Sequence, residues 1–158
     1  MHVFIPYRLT LVDKDGNPAD IFYAESGAAG FDIKSDEEVA LSFGERAVVK
    51  TGLFVKKIYS ENEFPEPNAI ELIPEIQIRP RSGLAVQNGI TVLNAPGTID
   101  SSYEQEIMVI LHNTSNLFGV KLFKGQRIAQ GVQALTLRCP GVLVKDAIRN
   151  GGFGSTGK

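Results

Sequence analysis

An all-β fold, a sandwich or barrel with at most one short helix, is what this sequence predicts, and three observations predict it. Short segments rich in β-branched and aromatic residues recur along the chain, several of them alternating apolar and polar positions. Turn signals separate them: DKDGNP, LSFGER, ENEFPEPN, NAPG, NTSN and FKGQ. Sixteen glycines and eight prolines in 158 residues favour turns over long helices.

Taken in order, HVFIPYRLTLV (2–12) alternates, and Pro6 suits an edge position. EEVALSF (37–43) and RAVVKTGLFVKKI (46–58) have strand composition, and AIELIPEIQI (69–78) alternates. SENEFPEPN (60–68) reads as a solvated loop or hairpin tip. SGLAVQNG (82–89) offers a helical turn or two ending at Gly89. EIMVILHN (106–113) is a continuous apolar run, the pattern of a strand buried on both faces. GVKLF (119–123), RIAQGVQALTL (127–137) and GVLVK (141–145) complete the strands. No internal repeat or low-complexity block interrupts them. The expected organisation is one β-domain over 1–145, followed by a glycine-rich arm over 146–158 that is mobile unless something holds it.

Composition narrows the function. Hydrophobic residues make up 43% and charged residues 22%, as in a soluble globular protein with a real core. A formal net charge of −2 excludes a broad electrostatic footprint on nucleic acid, but not a small basic pocket for one anionic molecule. The one cysteine, Cys139, reads as a small packed side chain and fits a reducing compartment. His2 and His112 sit in no metal-ligand or nucleophile–base spacing. No apolar run is long enough to span a membrane, and the first residues lack a signal-peptide layout. Cytoplasm, or a nuclear or other host compartment for a eukaryotic or viral protein, is expected.

Five stretches carry chemistry. In PRSGLA (80–85), Arg81 offers a planar fork matched to phosphate, Ser82 a hydroxyl, and Gly83 close backbone approach. Alone, the stretch reads as a Pro-initiated helix start with a surface arginine. In NAPGTIDSSYEQEI (94–107), Pro96-Gly97 reads as the tight turn of a hairpin leading into the next strand. Asp100 beyond it suits proton transfer from water, and Tyr103 suits packing against a ring. Alone, these are a turn aspartate and a half-buried tyrosine. In AGFDIKSDEE (29–38), Asp32 sits among apolar neighbours and needs a partner, either a basic side chain or a hydrated cation. In GQRIAQG (125–131), Arg127 and Gln130 are three apart and face opposite ways unless the strand bulges. Finally, NGGFGSTGK (150–158) spells most of a phosphate loop, which needs a Ser or Thr next and then a helix, whereas the sequence stops at Lys158. Arg149 suits a phosphate, and an aromatic among glycines suits a lid over a flat ligand.

Together and in order, AGFDIKS, RPRSGLA, NAPGTIDSSYEQEI, RIAQ and NGGFGSTGK resemble the homotrimeric dUTPases, the deoxyuridine triphosphate nucleotidohydrolases, from about Ala29 to Lys158. The resemblance implies a jelly-roll-like β-fold, a homotrimer whose sites are shared among chains, and Mg²⁺. It also implies hydrolysis of dUTP to dUMP and pyrophosphate, which limits uracil in DNA and supplies dUMP for thymidylate synthesis. Arg81, Ser82 and Gly83 match the phosphate-binding stretch. Asn94 and the backbone of Thr98, Ile99 and Asp100 match the segment that reads the uracil edge, and Met108 a further base contact. Asp100 matches the residue that activates the attacking water, and Tyr103 the ring beneath the deoxyribose. Asp32 and Gln130 match residues that reach metal or phosphates through water. Arg149, Phe153, Gly154, Ser155 and Thr156 match the arm that caps the base and grips the last phosphate.

Three features depart from the family pattern. Glu104-Gln105 replaces the usual Arg or Gln followed by Gly, the arm is one residue shorter between Arg149 and Phe153, and the stretch 60–73 is longer. The homologous dCTP deaminases share the expected fold but place a catalytic glutamate where this chain has Ile110. A non-catalytic nucleotide-binding regulatory module is the other alternative, and Asp100 together with the whole arm argues against it.

Overall fold

The computed structural model describes residues 3–59 and 70–137. Their elements are β1 (Val3–Phe4), β2 (Tyr7–Val12), β3 (Phe31–Lys34), β4 (Val39–Leu41), β5 (Arg46–Tyr59) and β6 (Ile70–Pro80), then α1 (Ser82–Asn88), β7 (Ile90–Val92), β8 (Gly97–Ile99), β9 (Ile107–Asn113), β10 (Val120–Leu122) and β11 (Arg127–Leu137). One sheet runs β1-β6-β11-β3 with β8 also on β6, a second runs β2-β5-β9-β7, and β4 with β10 forms a small third. The long pairings are antiparallel, and β1 alone among the described pairs runs parallel to its partner.

Period-two patterning builds the core between the sheets. From one side come Ile33, Ile76, Ile78 and Ala129, and from the other Val49, Ile107, Val109 and Leu111, all at most 3% exposed. Each buried Val, Leu or Ile among them contributes about 1.5–3 kcal/mol. Asn113, with no exposed surface, ties the small sheet to the second. Its Nδ2 donates to the carbonyls of Leu41 and Phe118, and its Oδ1 accepts from the Ser115 N–H. The helix α1 ends as the sequence predicts, at Gly89 with φ 67°, whose N–H closes onto the Ala85 carbonyl.

The structure corrects the sequence reading in two places. β9 is not buried on both faces: Met108, Ile110 and His112 are half-buried while the alternate positions are fully packed. The outer face of this strand turns to an open cleft instead of a second layer. Pro96-Gly97 does not close a hairpin, because β7 pairs with β9 while β8 pairs with β6. The turn, with its cis Ala95–Pro96 bond, carries the chain from one sheet to the other. β5 is a strand as expected, with a ladder to β9 that slips between Lys50 and Leu53, where Gly52 adopts φ 69°. The expected strand at 141–145 and the arm at 146–158 lie outside the described residues, as do 60–69 of the long connection; Ile70–Ile73 belong to β6.

Where β11 meets β3, Gly131 lies opposite Phe31, and an added Cβ would stand 2.2 Å from the ring's Cζ. Gly131→Ala should therefore destabilise the fold by about 1–3 kcal/mol through overpacking. A denaturant midpoint equal to that of the parent chain would show that the ring yields freely.

Candidate active site

The crossing of the chain between sheets leaves a cleft of about 230 Å³. Its walls are Ile78 of β6, Val92 of β7, residues 97–99 of β8 and residues 108–110 of β9, with Asn94, Asp100 and Tyr103 from the connecting turns. Gly97 is buried here, and a Cβ on it would come within 3.2 Å of the Asn94 Nδ2 and 3.5 Å of the Ile78 Cβ. A glycine at 97 thus lets the Asn94 amide sit against β8. Apolar walls with one amide, exposed backbone and a carboxylate at the rim suit a flat polar ring. The volume is below the ~300–1,000 Å³ of pockets for drug-sized ligands, so a base fits and a whole nucleoside triphosphate does not.

Beyond β8 the chain turns sharply. The Tyr103 N–H donates to the Asp100 carbonyl at 3.0 Å, and the Tyr103 hydroxyl donates to the Glu106 carbonyl at 3.1 Å. Glu106 in turn accepts from the Gly52 N–H at 2.8 Å, and Thr51 Oγ1 donates to the Ile107 carbonyl at 2.6 Å. The slip in β5 therefore serves to grip the segment that carries Asp100 and Tyr103. Glu104 and Gln105, which depart from the family pattern, are both exposed.

A second cluster lies at the far end of β6. Asp32 is 8% exposed, and its side chain leaves β3 on the face away from Phe31 and Ile33. Its Oδ1 accepts from Arg81 Nε at 3.1 Å and its Oδ2 from Arg127 Nη1 at 3.0 Å. One carboxylate thus holds two guanidinium groups side by side, each with further donors to spare. Arg81, Gly83, Gln126 and Arg127 line a shallow pocket with Leu84, Gln87 and Asn88 of α1. Ser82 and Gly83 are exposed, and nothing stands within 4 Å of a Cβ placed on Gly83.

Of the two partners the sequence allows Asp32, the structure supplies the basic one twice over. Arg127 is a site residue that sequence reasoning left out. The signal was the bulge: the pairing of β11 with β3 slips between Arg127 and Ala129. Ile128 and Ala129 are consecutively buried, so Arg127 and Gln130 both stay exposed. Gln130 pairs in register with Asp32. Among the candidates, Asn94, Thr98, Ile99, Asp100, Tyr103 and Met108 gather at the cleft, and Arg81, Ser82, Gly83, Asp32 and Gln130 at the guanidinium cluster. Arg149, Phe153, Gly154, Ser155 and Thr156 lie outside the described residues. Among the described residues no group of three or more His, Cys, Asp or Glu is arranged to hold a metal ion, and no helix is long and apolar enough to cross a membrane.

Fold and site together define a jelly-roll-like β protein with a ring-sized cleft and a separate cationic patch. A family model described as dUTPase matches residues 74–157. The deoxyuridine 5'-triphosphate nucleotidohydrolase of Nautilia profundicola is 48% identical over 141 residues, covering 86% of this chain and 89% of its own length. That of an Anaeromyxobacter species is 40% identical over 161 residues, covering 98% and 99%. Among solved structures, the dUTPase of Streptococcus mutans aligns with a TM-score of 0.64 at 21% identity, covering 84% of this chain and 99% of its own. The dUTPase of phage phi11 of S. aureus, whose structure coordinates a structural Mg(II) ion, aligns at 0.65 and 19%, covering 90% and 99%. This chain belongs to the dUTPase family.

Proposed function

We propose that this chain hydrolyses dUTP to dUMP and pyrophosphate. The observation that carries this reading is that Asn94, Thr98, Ile99, Asp100, Tyr103 and Met108 line one base-sized cleft with a carboxylate at its rim. The Asn94 amide and the free edge of β8 read the uracil edge; a base with the opposite donor and acceptor pattern leaves these groups unpaired and is rejected. Tyr103 packs beneath the sugar. Asp100 orients a water and takes its proton as the water oxygen bonds to the α-phosphorus. The bond from that phosphorus to the bridging oxygen breaks, and pyrophosphate leaves with the electron pair. Ile110 lines the same cleft, so no acid or base stands where a deaminase needs one.

The triphosphate belongs on Arg81, Arg127, Ser82 and the backbone at Gly83. In one chain that patch is out of reach of Asp100. Ile99 pairs with Ile76, five residues before Arg81, and five extended residues span roughly 17 Å. The site is therefore completed by a neighbouring copy in a homotrimer, with the arm residues Arg149, Phe153, Gly154, Ser155 and Thr156 closing it. Exposed Val3, Leu135 and Leu137 on the first sheet supply apolar surface for that assembly.

A Mg²⁺ ion bound with the triphosphate would supply neutralisation of charge on its oxygens. Asp32 gives one lone pair per oxygen to the arginines and keeps others, so it can hold the ion's hydration shell through water. A cytoplasmic enzyme acting on free nucleotide fits the reading. Pyrophosphate release measured across the deoxynucleoside triphosphates, with and without chelator, tests it. Turnover of dUTP alone, lost on chelation, is expected; equal turnover of dCTP or dTTP would overturn the specificity.

A further inference from the structure

A tyrosine outside the cleft is bonded to the turn that carries Asp100. Tyr7, on β2, is 8% exposed and lies 94 residues from Ser101, yet the Tyr7 hydroxyl and Ser101 Oγ are 2.6 Å apart. Ser101 directly follows Asp100. The ring of Tyr7 is held independently of that bond. It pairs in register with Tyr59 of β5, their rings meet edge to face at 5.7 Å, and Lys57 Nζ lies 4.9 Å over the ring. The hydroxyl is thus presented from a rigid strand to a turn whose other end is fixed by Glu106 and Thr51.

We infer that Tyr7 is a positioning residue for the water-activating carboxylate, acting through Ser101. The inference rests on the reading of Asp100 given above. Two fixed ends leave the turn of residues 100–106 little freedom, and the Tyr7 bond at Ser101, together with the Tyr103 N–H on the Asp100 carbonyl, helps set the angle at which Asp100 leaves the end of β8. Side-chain positions near a reacting water tolerate little error: a displacement of ~1 Å costs up to ~10²-fold in rate. Tyr7 does not line the cleft, so it has no part in gripping the base.

The test uses Tyr7→Phe, Ser101→Ala, their double variant, Ser101→Thr and Asp100→Asn in the full chain, read as kcat and KM for pyrophosphate release from dUTP and as melting temperature. Loss of the brace should lower kcat about tenfold in Tyr7→Phe and Ser101→Ala alike, with KM within about twofold. The double variant should be no slower than either single one, because both remove the same bond. Ser101→Thr, which keeps the hydroxyl, should restore most of kcat. Melting temperatures of the Tyr7→Phe chain should stay near the parent's, since the ring contacts remain. Should Tyr7→Phe fold poorly, Ser101→Ala and its threonine rescue carry the same comparison. Parent-like kcat in Tyr7→Phe beside a dead Asp100→Asn overturns the brace and leaves the catalytic reading standing. So do additive losses in the double variant, or a rise in KM matching a fall in melting temperature. An active Asp100→Asn overturns both.

Discussion

Asp100→Asn is expected to lower kcat for dUTP by about 10²–10⁴-fold, the usual contribution of a positioned general base, while nucleotide binding stays near the parent's. Asparagine keeps the shape and hydrogen-bonding reach of the aspartate but cannot take a proton from water. The rest of the cleft is untouched: Asn94, Gly97, Thr98, Ile99 and Met108 come from other positions, and the Tyr103 N–H bonds the backbone carbonyl at 100, not its side chain. Removing a negative charge that faces a polyanion relieves repulsion in the bound ground state. Affinity for a non-hydrolysable dUTP analogue, measured by calorimetry, should therefore hold or tighten while turnover collapses. A variant within about threefold of the parent in kcat would mean that the proton leaves by another route. A variant that loses binding and turnover together would mean that the side chain shapes the cleft and does not act on water.

How far the sequence carried the fold depends on segment length. Strands of seven residues or more had enough period to read, and the helix was marked by its terminal glycine. β3, β7 and β8 have only three or four residues each and went unread, whereas β4 and β10, no longer, were marked by their β-branched and aromatic residues beside the turn signals LSFGER and FKGQ. The turn at Asn94–Pro96 was legible as a turn but not as a crossing, because which sheet receives the next strand is decided by tertiary pairing. The apolar run of β9 misled for a related reason: half its side chains face a cleft, and a cleft for a ring is lined much as a core is. At the site, Asp32 was recognised as a buried acid needing partners, but Arg127 was discounted by strict alternation. A one-residue slip in the ladder with β3, invisible in the residue types, brings it beside Arg81. The brace from Tyr7 to Ser101 spans 94 residues and leaves no trace in local spacing.

Mixing two inactive variants should recreate activity. Arg81→Ala removes a phosphate-binding guanidinium and Asp100→Asn the base, and each alone should be nearly inert. If every site takes Arg81 from one copy and Asp100 from another, random co-assembly of equal amounts leaves roughly a quarter of the sites with both groups intact. The variants, carrying different affinity tags, would be co-expressed, the mixed species isolated through both tags, and pyrophosphate release followed. Isolation through both tags removes the unmixed assemblies, in which no site is intact, and every mixed trimer keeps one intact site in three, so about a third of parental turnover per site is expected, well above the background of either variant alone. The physical ground is the spacing on β6: the partner of Ile99 and the position of Arg81 are five extended residues apart, roughly 17 Å, and the Asp32 bridge holds Arg81 toward Arg127 and away from the cleft. Arg81 cannot swing toward the cleft without breaking that bridge, and an aspartate side chain is too short to span the distance from the other end. Mixed assemblies with no more activity than their parents would require both groups to act within one chain, and the triphosphate would then have to bind somewhere other than the paired arginines.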